Sequence, residues 1–396
     1  MAVCHDLTGP QGPQGAQGDP GAAGIAGIGA GRGLYGPGGG MPQCEPTGLA
    51  VGTDGLGLMA CRRYLTGETG IAHCIDVACS GASFHSAYYL GWGVQTYPGE
   101  LAIGADGLGL VPVVDAVAKS LKVIHCVDVP CTSVTLATVA TTNTADAASI
   151  TIGADGLGII AYEDAKAVKV AHCSNATCSS VSVTILAAAS PKTSGRPRVV
   201  IGADGLPLVA FGQGGLASIP GTLPSLVVAH CRDVACAGAD STIIDSAGSP
   251  GGQDVLLLPQ SIAIGPDNRA LIAYRDGFNG YALRIAHCSD VACTSATLSQ
   301  IAAQSNGADL VIGADGLGLV VNTADPGLGL ESLHCQDITC SHADTQTLFN
   351  LQTTGAHLIV GSDGLGLIVY GSRGGDSYLY SLHLGDTLGM VHAHRR

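Results

Sequence analysis

Histidine and cysteine recur side by side at His73, His125, His172, His230, His287 and His334. The adjoining cysteine is followed five residues later by another. The pairs are Cys74/Cys79, Cys126/Cys131, Cys173/Cys178, Cys231/Cys236, Cys288/Cys293 and Cys335/Cys340. Thiols at this spacing have two chemistries open to them. They can bridge a tight turn as a disulfide, or join the histidine as soft ligands for a metal such as zinc. No fourth ligand is evident in the unit, so the disulfide is the preferred reading. A bridge over so short a loop contributes roughly 2 kcal/mol and implies an oxidising compartment. An aspartate is equally regular, at Asp54, Asp106, Asp155, Asp204, Asp267, Asp315 and Asp363, most often inside Ile-Gly-Ala-Asp-Gly-Leu. Seven such carboxylates could draw a cation such as Ca2+. The simpler expectation is that each accepts hydrogen bonds from the amides that follow it in its own turn. The histidines read as structural donors packed against a neighbouring unit.

These regularities belong to a repeat. Successive aspartates are 52, 49, 49, 63, 48 and 48 residues apart, and the fifth copy is degraded to Gly265-Pro266-Asp267-Asn268. The seventh keeps His383 but has Leu384 where a cysteine would stand. One unit shows the elements. Ser149 to Ile152 alternates like a half-buried strand, Gly153-Ala154-Asp155-Gly156 is a hairpin turn, and Leu157 to Tyr162 reads as a second strand. Glu163 to Ala167 is a polar loop, Val168 to Cys173 a third strand, and Val181 to Leu186 a fourth. Four antiparallel strands in about 49 residues match a propeller blade. The fold class is therefore all-β: a seven-bladed β-propeller over 49–394. With the first strand innermost, the aspartate turns and the cysteine turns share one face. Blade 7 is expected to own all four strands, the last being Thr387 to His394, with no exchange between the chain ends to latch the ring.

Catalytic residues are harder to find. The aspartate turns loosely resemble the Asp-box hairpins of sialidase-like propellers, although Ser-x-Asp-x-Gly-x-Thr-Trp does not occur. That resemblance implies a cluster of arginines, a tyrosine–glutamate pair and an acid. The glutamates are Glu45, Glu68, Glu100, Glu163 and Glu331, and with Arg62, Arg63, Arg269 and Arg275 they form no recognisable set. No nucleophile elbow or phosphate loop is present. The expectation is that the chain is not an enzyme and carries no cofactor, Ca2+ being the one alternative. A net charge of −14, from 17 basic and 31 acidic residues, repels a nucleic-acid backbone. No apolar run is long enough for a membrane helix, and the first residues lack a signal-peptide pattern.

Ahead of the repeats, glycine stands at every third position: Gly9, Gly12, Gly15, Gly18, Gly21, Gly24 and Gly27. This resembles the collagen-like segments of bacterial and phage proteins. Only glycine fits the axis of three wound polyproline chains, so the resemblance implies a trimerising tail. The division is a short segment 1–8, the collagen-like tail 9–29, a Gly-rich linker 30–48 and the propeller. Cys4, Cys44 and Cys61 fall outside the blade pairs; three thiols cannot all pair within one chain, so at least one of these candidates, Cys4 first, is expected to form an interchain bridge or stay a free thiol.

Two functions are expected from these features. One is an extracellular structural subunit that joins itself into a trimer or filament through the tail. The other is an adhesin or lectin-like module reading glycan or a cell surface through its loop face. Phe84, Tyr88, Tyr89 and Trp92 are then the first aromatic platform, and Tyr378 and Tyr380 a second.

Overall fold

The recurring turn explains its own sequence. In blade 3, the Gly153 amide donates to the Leu157 carbonyl (2.8 Å) and the Gly156 amide to the Gly153 carbonyl (2.9 Å). Asp155 Oδ1 accepts from the Leu157 amide at 3.1 Å. A Cβ on Gly153 would lie 2.8 Å from that oxygen, and Gly156 has a φ of +79°, so both positions demand glycine. The degraded copy survives because Asn268, at φ +63°, is a residue that tolerates the left-handed region. Turns of successive blades also touch. A Cβ on Gly156 would meet Ala105 at 3.0 Å, and one on Gly55 would meet Ser362 of blade 7 at 3.2 Å.

We describe the protein from a computed structural model, over residues 32–33, 44–63, 66–89, 96–142, 148–188, 196–214, 223–246, 257–324, 329–349, 353–372 and 379–384. Each hairpin extends into an antiparallel sheet, in five of the seven blades four strands in chain order, as in Ser149–Ile152, Gly158–Asp164, Ala167–Cys173 and Val181–Ala187. The second strand is buried along its whole length, whereas the fourth alternates toward solvent. The expected polar loop between the second and third strands is tighter than the sequence suggested. Asp164 pairs with Ala167, and the two residues between, Ala165 and Lys166, both have positive φ, 50° and 66°. That is the backbone of a primed two-residue hairpin turn.

Seven such sheets stand around an axis with their first strands innermost and in mutual contact. The core is divided accordingly into seven wedges, each shared by two neighbouring blades. Between blades 2 and 3, for example, Leu110, Leu121 and Val123 meet Ile160, Tyr162 and Ala171. Apolar burial therefore holds blade to blade, and hydrogen bonding holds strand to strand.

Ring closure differs from expectation. The strand Arg32–Gly33 pairs antiparallel with Leu379–His383, in the register Arg32↔Ser381 and Gly33↔Tyr380. Blade 7 thus takes its outer strand from the segment ahead of blade 1, which is strand exchange between the two chain ends. Residues 30–48 are accordingly more than a linker, since Glu45–Val51 is the first strand of blade 1. Two serines add to the seam: Ser362 Oγ donates to the Gly55 carbonyl (2.9 Å) and Ser381 Oγ to the Cys79 carbonyl (2.8 Å). The proposed strand 387–394, the collagen-like tail with its seven glycines, and Cys4 lie outside the described residues.

The six Cys-x4-Cys pairs are disulfides, each with its Cα atoms 4.8 Å apart. A seventh joins Cys44 to Cys61 within the chain. This corrects the expectation of an interchain or unpaired role for those two. It ties the entry of blade 1 to its second strand, where Cys61 pairs opposite Pro46. Seven disulfides are typical of proteins that fold in an oxidising compartment. No helix long and apolar enough to cross a membrane occurs among the described residues.

Candidate functional site

On the turn face, each aspartate is engaged inside its own blade. While Oδ1 holds the turn, Oδ2 accepts from the histidine Nε2 at the end of the third strand. The distances are 2.7 Å for Asp54–His73 and 2.8 Å for Asp106–His125, Asp155–His172 and Asp204–His230. They are 2.9 Å for Asp267–His287 and 2.8 Å for Asp315–His334; in blade 7 His383 Nε2 also comes within 2.8 Å of Asp363 Oδ2, but out of line for a hydrogen bond. With Oδ1 in the turn and Oδ2 facing the histidine in every blade, the seven aspartates act as hairpin clasps. Among the described residues, no group of three His, Cys, Asp or Glu side chains gathers as a metal site.

Of the expected aromatic platform, the described members point to different places. Phe84 packs onto the wedge between blades 7 and 1. Tyr88 packs onto the next wedge and donates to Asp115 Oδ2 at 2.7 Å. Burial, with that carboxylate beside it, pushes the Tyr88 hydroxyl pKa well up. Tyr89 is exposed, Trp92 and Tyr378 lie outside the described residues, and Tyr380 stacks on Tyr370 at 5.4 Å.

Chemistry instead collects at the opposite mouth of the central channel. Six residues before each turn aspartate, the innermost strand carries Gly48, Glu100, Ser149, Arg198, Ser261, Asp309 and His357 in blades 1 to 7. The positions that follow are nearly uniform from blade to blade, yet this one changes type in almost every blade, and four of the seven are ionisable. The backbone is irregular just here. Register shifts fall between Pro46 and Gly48, Pro259 and Ser261, and Thr354 and Ala356. In blade 2 the inner strand breaks into Thr96–Pro98 and Ala102–Ile103 around Gly99 and Glu100. A Cβ on Gly99 would sit 1.9 Å from the Ala148 carbonyl oxygen, so only glycine lets blades 2 and 3 close there. Bulges of this kind re-aim side chains.

The ring side chains bind one another across blades. Ser149 Oγ donates to Glu100 Oε2 at 2.6 Å and accepts from the Val199 amide at 3.1 Å. Glu100 Oε1 is 3.3 Å from Arg198 Nε, which also donates to the Gln260 carbonyl. Asp309 accepts from Ser261 Oγ (2.8 Å) and from the Leu358 amide (3.0 Å), and His357 Nδ1 is 3.4 Å from it. Burial alone would raise the Asp309 pKa; the His357 ring and these donors outweigh it and hold the carboxyl below its ordinary range.

A cavity of about 360 Å³ opens against this ring. Glu45, Arg62, Tyr97, Glu100, Arg196 and Arg198 line it, with His357 at its blade 7 side. Arg62 pairs with Glu45 at 3.1 Å, and its guanidinium lies 5.3 Å from the centre of the Tyr97 ring. Arg196 is exposed, makes no ion pair with the described residues, and holds a φ of +43°. Such a pocket, with planar cationic forks, fixed carboxylates and one aromatic face, can take hydroxyls and oxyanions from a polar ligand. Glu45, Glu100 and Arg62, which looked scattered along the chain, are brought together with two arginines not singled out from the sequence. Aligning the repeats for the position that varies, rather than for those that recur, would have found Glu100, Arg198, Asp309 and His357.

No protein-family model matches the chain, and no curated protein sequence matches it. Solved structures do resemble it in fold. Polysaccharide lyase Uly1 superposes with a TM-score of 0.53 at 11% identity, over 91% of this chain and 94% of that one. The Penicillium chrysogenum alpha-L-arabinanase complexed with arabinobiose gives 0.50 at 12%, over 90% and 99%. The Pseudomonas aeruginosa periplasmic gluconolactonase PpgL gives 0.50 at 14%, over 86% and 97%. At these identities the likeness is one of fold, and the fold is the β-propeller. It overturns the expectation that the chain is not an enzyme, because propellers of this shape include a lyase, a glycanase and a lactonase.

Proposed function

We propose that this is a secreted, disulfide-stapled propeller that acts on carbohydrate, with the saccharide seated at the channel mouth opposite the aspartate turns. One observation carries the reading: a repeat that is otherwise nearly uniform diversifies into glutamate, arginine, aspartate and histidine where a polar cavity opens. Stability alone gives no reason for seven equivalent positions to differ. Tyr97 offers a sugar-stacking face, and the arginines and glutamates offer donors and acceptors to ring hydroxyls. The fold-mates named above, which include an arabinanase and a polysaccharide lyase, are consistent with it. Glu45 and Glu100 are the carboxylates placed to move a proton if the bound sugar is turned over.

The self-assembling filament subunit is not carried further, since it rests on residues 9–29 and Cys4 and no feature of the ring favours it. In the present reading the Gly-X-Y strip is the tether that presents the head. The test is calorimetric titration with a panel of oligosaccharides, with mass spectrometry of the same samples for cleavage products. We expect at least one oligosaccharide to bind, and Tyr97→Ala and Glu100→Gln each to weaken it about tenfold. A panel that gives no heat, or binding indifferent to both changes, refutes the proposal.

A further inference from the structure

Resting on that reading, we infer that the saccharide is an acidic one, held through a carboxylate or sulfate group by Arg62, Arg196 and Arg198. The chain carries a net charge of −14, so its surface as a whole repels anions. The channel-mouth cavity runs against that background. Three arginines line it against two glutamates, Glu45 and Glu100, which leaves an excess of one positive charge before His357 is considered. The two glutamates are committed: Glu45 to Arg62, and Glu100 to Arg198 and Ser149. They hold those two guanidinium groups in fixed orientation. Arg196 is the uncommitted cation, exposed and without an ion pair among the described residues.

Its backbone strengthens the assignment. Arg196 adopts φ +43°, a region costly for any residue with a Cβ and one that concentrates at functional sites. Pro197 follows and Arg198 begins the inner strand of blade 4. The two arginines therefore stand two residues apart, both on the cavity wall. A planar fork presenting two parallel N–H groups is matched to a carboxylate or a sulfate. A neutral sugar needs no such excess of charge.

The experiment compares four ligands by calorimetry: an oligogalacturonate, the same oligomer methyl-esterified, a sulfated neutral oligosaccharide and its unsulfated parent. The acid form is expected to bind at least tenfold more tightly than its ester, with affinity falling as sodium chloride rises from 50 to 500 mM. A sulfated ligand that outcompetes the uronate would support the inference and identify the oxyanion. Arg196→Gln should cost about tenfold in affinity with an unchanged melting temperature. Arg196→Gly should cost the same while raising the melting temperature, because glycine is at ease at that φ. Equal affinity for acid and ester, or a silent Arg196→Gln, overturns the acidic specificity and leaves the carbohydrate reading standing. If none of the four binds and none of a wider neutral panel does, both fall together.

Discussion

Single side chains hold this molecule's turns, and those of the disulfide loops do so with charge. Two residues after the first cysteine of each pair stands Asp76, Asp128, Asn175, Asp233, Asp290 or Asp337, and its side chain accepts from the amide four residues on. Blade 6 shows the strongest case. Asp337 accepts from the hydroxyls of Ser341 and Thr339 and from both their amides, and these hydrogen bonds hold its pKa down at about 2. Asp128 and Asp290 are held low in the same way, first by the hydroxyls of Thr132 and Thr294. A carboxyl whose folded pKa lies below its unfolded value contributes stability that is complete above about pH 4 and is lost as pH falls through 2. Denaturant unfolding at fixed pH values should therefore show stability declining from pH 4 to pH 2. Asp337→Asn should flatten that decline while lowering the plateau at neutral pH. An unaltered slope would mean that this cap does not feel protonation.

At the scale of the blade, the disulfide and its backbone are coupled. The second cysteine of every pair sits in the left-handed region, with φ between 49° and 55° for Cys79, Cys131, Cys178, Cys236, Cys293 and Cys340. Bridge formation thus holds in place a conformation that costs an ordinary residue roughly 1–2 kcal/mol. Removing one bridge as Cys173→Ala/Cys178→Ala is expected to destabilise the protein by roughly 2 kcal/mol for the lost loop closure. The variant Cys173→Ala/Cys178→Gly should recover about 1 kcal/mol of that, because glycine bears no penalty there. Urea denaturation of the two variants side by side decides it, and equal midpoints would refute the coupling. The bridge, the aspartate turn and the four-strand order were all legible in the sequence, because each is local and is written six or seven times over. The Ala165–Lys166 turn was not, since neither residue carries turn chemistry and only the tight pairing of its flanks forces the positive φ. The channel-mouth ring was missed for the opposite reason. Glu100, Arg198, Asp309 and His357 share no residue type, so a search for what recurs passes over them, although all four stand six residues before their blade's aspartate.

For the whole molecule, the question is what keeps a ring of seven similar wedges from opening. Six of the seven inter-blade seams are continuous in the chain; the seventh joins its ends. There Met59, Ala72 and Cys79 of blade 1 pack against Leu367, Val369 and Leu379 of blade 7, and Arg32–Gly33 pairs onto the outer edge of Leu379–His383. This short strand has no alternation of apolar and polar residues to announce it, and its partner lies more than 340 residues away. Only the assembled ring brings the two together. The strand also separates the tail from the head. A chain beginning at residue 32 keeps the closure, whereas one beginning at residue 41 loses it but retains the Cys44–Cys61 bridge. We expect the first truncation to melt with the full-length protein and the second to melt about one to two degrees lower, as befits a lost stability of about 1 kcal/mol in a chain of this size. Amide exchange should report the same loss locally, with protection falling along Leu379–His383 and then along Gly366–Ser372. If both truncations melt alike and exchange in blade 7 is unaffected, the apolar seam closes the ring unaided and the exchanged strand is incidental.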